Sequence, residues 1–301
     1  MIEKDFWHIV EKKLKYVLYG DTDSLFVHLP TLDSSDIENS SRKSSEIAVN
    51  INNLITNYLN TTLLPKLHVQ PTYNYTEFKN EFICNRMMFL DIKKNYAYSM
   101  ISKEGKIFDP PSVEYTGIPI VRSNFNEFSK ELLRDLIEKI ALNSKLNKQN
   151  IIQELGKLAQ EKNDYLNQQI KDGNFKYFAV PVRWNDGDYI KDPSSVVGMR
   201  LYNSLIGTEV FKPLSSALQV PIEISNASKI KELDLNTKYG INSEHLNILN
   251  FICLPYNYNS EEVFELFKKF NISIMNNLWG KFTEATTIQK VVDLIKEFSK
   301  K

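Results

Sequence analysis

The chain has 301 residues, 42% of them hydrophobic and 12% aromatic, enough for a sizeable core and two lobes. Lysine plus arginine equals aspartate plus glutamate at 37 each, which excludes a global basic field for a polyanion and leaves any nucleic-acid contact to local clusters. There is no run of about 18 apolar residues, and "MIEKDFWHIV" mixes charge with bulk, unlike a secretory signal, so a soluble, cytoplasmic protein with no membrane partner is expected.

In chain order, "FWHIVEKKLKYVLY" predicts a short helix feeding a strand, and "YGDTDS" at 19–24 then reads as the tip of a hairpin between apolar runs. "TLDSSDIENSSRKSSE" reads as a polar loop. Ser44 or Ser45 is the predicted cap of a helix carrying Ile47, Ile51, Leu54, Ile55 and Tyr58 on one stripe, and Pro65 its predicted end. Antiparallel strands are expected from Asn80 to Pro111, with "KEGK" as a turn and Pro110-Pro111 as a stop. Composition shifts near Gly117. Beyond it Phe125, Phe128, Leu132, Leu136 and Ile140 recur at helical spacing and open a helical lobe to about Asp172. A turn-rich mixed stretch, a strand in "LNILNFICLPYN" and a broken helix in "SEEVFELFKKFNISIMNNLWGKF" complete the chain. Cys84 and Cys253 fit neither CxxC nor zinc spacing and read as reduced thiols without a role.

The hairpin tip carries the chemistry. Strand alternation sends Asp21 and Asp23 to one face while Thr22 points away. Two carboxylates sharing a small volume at neutral pH call for a proton or a cation, and hard magnesium suits an oxygen-only site completed by water and phosphate. A bare DxD at a turn is more often turn chemistry, because aspartate bonds its own backbone; the apolar flanks that would hold the tip rigidly favour a site.

"YGDTDS" between apolar strands resembles the third polymerase motif (motif C) of family B DNA polymerases. "DIKKNYAYSMISKEGKI" is similar to the family's Lys-Lys-Arg-Tyr motif, and "GIPIVRSNFNEFSKELLRDLI", "VVGMRLYNSLIG" and "FICLPYN" resemble, in order, the palm-to-thumb junction and thumb of the T-even bacteriophage branch. The resemblance implies an α+β fold: residues 1–117 as the C-terminal part of a palm, with the hairpin and a Lys-x-Tyr strand, and 118–301 as a mainly helical thumb with a few strands. It implies two Mg2+ ions held by Asp23 as the stronger and Asp21 as the weaker ligand and shared with a partner chain, while Tyr19, Gly20, Thr22 and Ser24 shape the turn. Lys93, Lys94, Tyr96 and Arg122 become the contacts to primer-template DNA, with Lys103 and Lys106 extending that surface. Taken alone, Lys93-Lys94 reads more readily as a solvated strand edge, and Arg122, Lys103 and Lys106 read nearly as readily as solvated loop charge. Phe125, Phe128 and Trp279 read as core rather than as platforms for bases.

Two departures stand out. Asn95 occupies the place of the motif's arginine, and "VVDLIKEFSKK" lacks the phenylalanine-rich tail that docks many relatives onto a sliding clamp. Nor does the chain contain the first-motif (motif A) aspartate, the basic motif B helix for the incoming dNTP, or a proofreading exonuclease. The expectation is therefore the C-terminal half of a split viral polymerase, or a fragment of an intact one, inert until an N-terminal polymerase portion supplies those parts. A noncatalytic duplex-binding subunit and an unrelated metal-dependent nuclease or phosphotransferase are the alternatives.

Overall fold

The computed structural model describes residues 17–21, 24–29, 36–77, 79–123, 125–143, 145–187, 189, 192–224, 238–241, 245 and 249–300. The predicted helix ahead of the hairpin lies outside them. The chain divides into two compact units, Met1–Asn85 with Ser99–Glu114, and Arg86–Tyr98 with Tyr115–Lys301. Its fold is α+β, as expected, with antiparallel sheets.

In the first unit, β1 (Val17–Gly20) and β2 (Leu25–Val27) pair antiparallel. Helix α1 (Ile37–Tyr58) begins well before the predicted serine caps, because Asp36 takes that role and its side chain accepts from the Asn39 amide. The polar-loop reading of 31–46 is corrected accordingly from Asp36 onward. Serine favours loops only while its hydroxyl competes for backbone groups; here Ser40 and Ser44 are buried as small residues, and the Ser41 hydroxyl lies 3.4 Å from that of Ser102. Ile55 is buried on the predicted stripe, whereas Leu54 is 50% exposed. Pro65 does not end the helix at once: a widened π-helical stretch (Leu59–Leu63) runs into a last turn, Leu64–Lys66, that contains the proline.

Strands β3 (Phe82–Phe89), β4 (Tyr96–Lys103) and β5 (Lys106–Thr116) form a sheet in that order. Glu104 and Gly105, both with positive φ, make the predicted two-residue turn. The proline stop is corrected: β5 runs through a cis Asp109–Pro110 bond and Pro111, because a strand at the sheet edge has one side on which no N–H is needed.

In the second unit, α2 (Glu127–Asp135) starts at Asn126, whose side chain accepts from the Ser129 amide, and continues π-helically to Ala141. Phe128, Leu132, Leu136 and Ile140 are buried on its stripe as predicted, while Phe125 precedes the helix and is half-buried. Helix α3 (Lys148–Lys171), the short α4 (Phe175–Phe178) and α8 (Thr286–Lys300) pack with α2, and α7 (Leu278–Thr283) adds ring contacts to it. The Phe128 ring meets Tyr177, Trp279 and Phe282 at 5.9, 6.1 and 5.2 Å. Phe128 and Trp279 are therefore packing residues.

The remaining sheet centres on β7 (Ser216–Ile224), a strand that the sequence pattern conceals behind Pro221. It pairs antiparallel with β6 (Val180–Arg183), β8 (Phe251–Leu254) and β9 (Ile272–Ile274). Pro221 is tolerated because it falls between the pairing with β6, which ends at Gln219, and that with β9, which starts at Ile222. Helix α5 (Ser194–Ile206) lies on β8, and β9 is the break after α6 (Ser260–Phe270).

Candidate functional site

The acidic hairpin is short, and its flanking strands supply its packing contacts. Tyr19 is opposite Phe26 and Gly20 opposite Leu25, with a register shift beside Leu18 that leaves this leucine 55% exposed. The Asp21 amide donates to the Ser24 carbonyl at 3.0 Å, closing the ladder where strand β1 ends. Beneath the tip the Tyr19 and Phe26 rings are 5.8 Å apart, and Phe26 meets Phe82 of β3 at 5.7 Å. Asp21 and Ser24 are half-buried. Thr22 and Asp23 lie outside the described residues, and so does the expectation that the two carboxylates share a face.

The chemistry of the donors can be tested against a metal. Among the described residues no three His, Cys, Asp or Glu side chains gather into a cluster able to hold an ion. The tip offers carboxylate oxygen at Asp21 and, by sequence, at Asp23. That set fits Mg2+, which takes one or two protein carboxylates and fills its other positions with water and phosphate. It does not fit structural zinc, which needs thiolate or imidazole ligands.

The predicted duplex contacts belong to the second unit. Lys93 and Lys94 do not sit on a strand: they occupy the exposed turn between β3 and β4, and the strand begins only at Tyr96. Main-chain bonds from Leu90 N to Asn95 O at 2.9 Å and from Asn95 N to Ile92 O at 3.1 Å close that turn. Lys94 takes a left-handed φ of 60°. Asn95 donates its side-chain amide to the Lys93 carbonyl at 3.0 Å, so the residue in place of the motif's arginine locks the turn instead of reaching outward. Tyr96 is half-buried between Phe89 and Tyr98, with ring centroids 6.0 and 6.2 Å away. Arg122 is exposed and follows the tight turn Pro119–Val121, its amide donating to the Pro119 carbonyl at 3.1 Å. Lys103 and Lys106 are exposed and belong to the first unit, Lys106 lying 5.3 Å over the Phe108 ring.

Sequence reasoning missed Asn95 as a lock and Gly117 as a neighbour of the lysine turn. A signal was present for each, since asparagine suits tight turns and an isolated glycine between strand-forming residues often marks a close backbone approach. Both cysteines are free thiols, and burial raises the Cys84 thiol to about 11 and pushes Cys253 up further, as suits inert structural groups. No helix among the described residues is long and apolar enough to cross a membrane.

The acidic hairpin and the basic turn lie in a stretch that matches a known family. Residues 7–235, well over half of the chain, match the family described as Divergent Family B DNA polymerase, and the match runs from the hairpin through β7. The chain belongs to this family. Its relation is thus to DNA-polymerase-like nucleotidyltransferases. No curated protein matches the chain.

Proposed function

We propose that the chain is the C-terminal half of a split family B DNA polymerase of the T-even bacteriophage type, with residues 1–117 forming part of the palm and 118–301 the thumb. The observation that carries the proposal is the hairpin whose tip is closed by the Asp21–Ser24 bond and braced by Tyr19, Phe26 and Phe82, within the stretch that matches the family. A second polypeptide would bring the motif A aspartate, the motif B helix and the exonuclease, and the substrates would be primer-template DNA and a dNTP.

Asp21 and Asp23 are the residues that would hold Mg2+ there; when bound, the ions supply charge neutralisation at the phosphates and a more acidic primer 3′-hydroxyl. In the reaction the 3′-oxygen bonds the α-phosphorus, the bond to pyrophosphate breaks, and the hydroxyl proton departs. Lys93 and Lys94 place point charges against the DNA phosphates, and Tyr96 offers a ring with a polar tip beside them. Binding would then weaken steeply with salt and show little sequence preference.

The test is primer extension by this chain coexpressed with the remaining polymerase portion. Activity of the pair, absent from either chain alone and lost on Asp23→Ala, is the expected result. Extension that survives both Asp21→Ala and Asp23→Ala would mark the chain as a noncatalytic duplex-binding subunit instead. Magnesium-dependent cleavage by the isolated chain would point to a nuclease.

A further inference from the structure

After β5 the chain returns to the lysine turn, and the two meet at Gly117. A Cβ on Gly117 would stand 2.1 Å from the Lys94 carbonyl oxygen and 3.0 Å from the side-chain Cγ and Oδ1 of Asn95. The nearest obstruction is main chain, so no side-chain rotation relieves it. Gly117 also has a φ of +68°, which an L side chain rarely adopts.

Lys94 itself is a non-glycine residue with a φ of 60°, a conformation that costs about 1–2 kcal/mol and persists only where the surroundings impose it. Three groups surround it: the bond from Asn95 to the Lys93 carbonyl, the bonds from Leu90 and Asn95 that close the turn, and the Gly117 backbone against the Lys94 peptide. Beyond Gly117 the chain is fixed by Ile118, which is fully buried, and by buried Pro119 and Ile120, before it emerges at Val121 and Arg122. Arg122 is only five residues from the contact, so its Cα stands within about 18 Å of that of Gly117.

We propose that Gly117 is a positioning residue for the duplex-binding turn: its bare Cα lets the chain press on the Lys94–Asn95 peptide, holding Lys94 left-handed and fixing where the Lys93 and Lys94 ammonium groups stand against the phosphates of a nucleic-acid duplex. The same contact ties the turn to the segment that carries Arg122. The proposal rests on Lys93 and Lys94 being duplex contacts, and its test separates the two.

The experiment measures affinity of the full chain for a primer-template duplex over a salt series. The proteins are wild type, Lys93→Gln/Lys94→Gln, Gly117→Ala, and all three changes together. The lysine pair should lower the slope of log K against log salt by about 1.8, the loss of two phosphate contacts. Gly117→Ala should weaken binding by about tenfold, lower the slope by about 1, and add no loss to the lysine variant. Hydrogen exchange should show the Leu90 and Asn95 amides losing protection in Gly117→Ala while the amides of α2 keep theirs.

An unchanged slope for Gly117→Ala, or a loss that adds fully to that of the lysine variant, overturns the positioning role and leaves the duplex contact standing. A lysine variant that binds like wild type, or a wild type without salt-dependent affinity, overturns the contact itself. Should Gly117→Ala fail to fold, Asn95→Ala keeps the glycine and removes only the bond to Lys93; a reduced slope supports the imposed turn, and wild-type binding overturns it.

Discussion

The amide of Asp21 and the carbonyl of Ser24 are joined at 3.0 Å across the hairpin tip, so a main-chain bond closes the acidic turn. Shape and chemistry are therefore separable there. Asp21→Ala and Asp23→Ala keep that main-chain bond and should lower thermal stability by no more than about 1 kcal/mol. If the chain works as proposed, primer extension with the remaining polymerase portion should fall at the same time, on the order of 100-fold or more for Asp23 and less for Asp21. Calorimetry beside a single-nucleotide extension assay checks both halves, and a variant that loses stability and activity together would contradict the separation.

Lys94 holds a conformation suited to glycine. Lys94→Gly should therefore raise stability by about 0.5–1 kcal/mol while weakening duplex affinity, a gain and a loss with different causes. Lys94→Asn should retain more of the stability than Lys94→Val, because asparagine tolerates the left-handed region and a β-branched side chain does not. Thermal melts of the three variants beside one binding isotherm each provide the comparison.

Asn203 of α5 is buried and satisfied at both ends: its amide donates to the Phe211 carbonyl at 2.7 Å, and its oxygen accepts from the Val210 and Phe211 amides at 2.9 Å each. Leucine at this position fills similar space and leaves the Phe211 amide and carbonyl unanswered, while the Val210 amide keeps its bond to the Thr208 carbonyl at 3.1 Å. Asn203→Leu should cost about 2 kcal/mol or more, measured by urea unfolding, since each of the two buried orphans costs about 1–3 kcal/mol. A cost under about 1 kcal/mol would show that water reaches the loop.

Lys162, only 9% exposed, bridges α3 to α2 through Asp135 at 2.8 Å and Glu131 at 3.5 Å, and Glu131 in turn accepts from Tyr177 at 2.6 Å. Burial works against the ammonium, but the Asp135 bond and both carboxylate charges outweigh it, and the group titrates above the usual lysine value of 10.5. Its stabilisation is then complete below that value and is lost as pH rises through the higher folded value. The gap in melting temperature between wild type and Lys162→Met should be constant from pH 7 to about 10 and close only above about pH 10.5. A gap that closes near neutral pH would contradict the ion pair.

Burial raises the Cys84 thiol from 9.0 to about 11, so the folded state keeps the proton longer than the unfolded chain. The stabilisation from this group is present below pH 9.0 and fades as pH approaches 11. At pH 8 the thiolate fraction should be roughly a hundredfold below that of an unperturbed cysteine, and alkylation by iodoacetamide correspondingly slow in the native protein and rapid in urea. Mass spectrometry of the modified peptide gives the rate.

Local signals carried the sequence analysis a long way. The stripe Phe128, Leu132, Leu136 and Ile140 is buried as its spacing predicts, "KEGK" turns at Glu104 and Gly105, and the hairpin closes between Asp21 and Ser24. Each is decided within a few residues, by helical periodicity or by turn chemistry, and needs no distant partner. The family itself was legible for the same reason, since its motifs are short and contiguous.

What the chain could not announce is who packs against whom. Ser40 and Ser44 read as loop until a neighbouring surface buries them, and Pro221 hides a central strand because only the handover from β6 to β9 makes a missing N–H harmless. Leu54 shares a stripe with Ile55, yet stays half exposed. Asn95 looked like a lost arginine and Gly117 like a change of composition; only their meeting at the Lys94 peptide reveals a turn held in shape from two sides. The sequence settled periodicity, turns and kinship, which are short-range properties, while burial, strand partners and the set of the basic turn come from contacts between residues far apart along the chain.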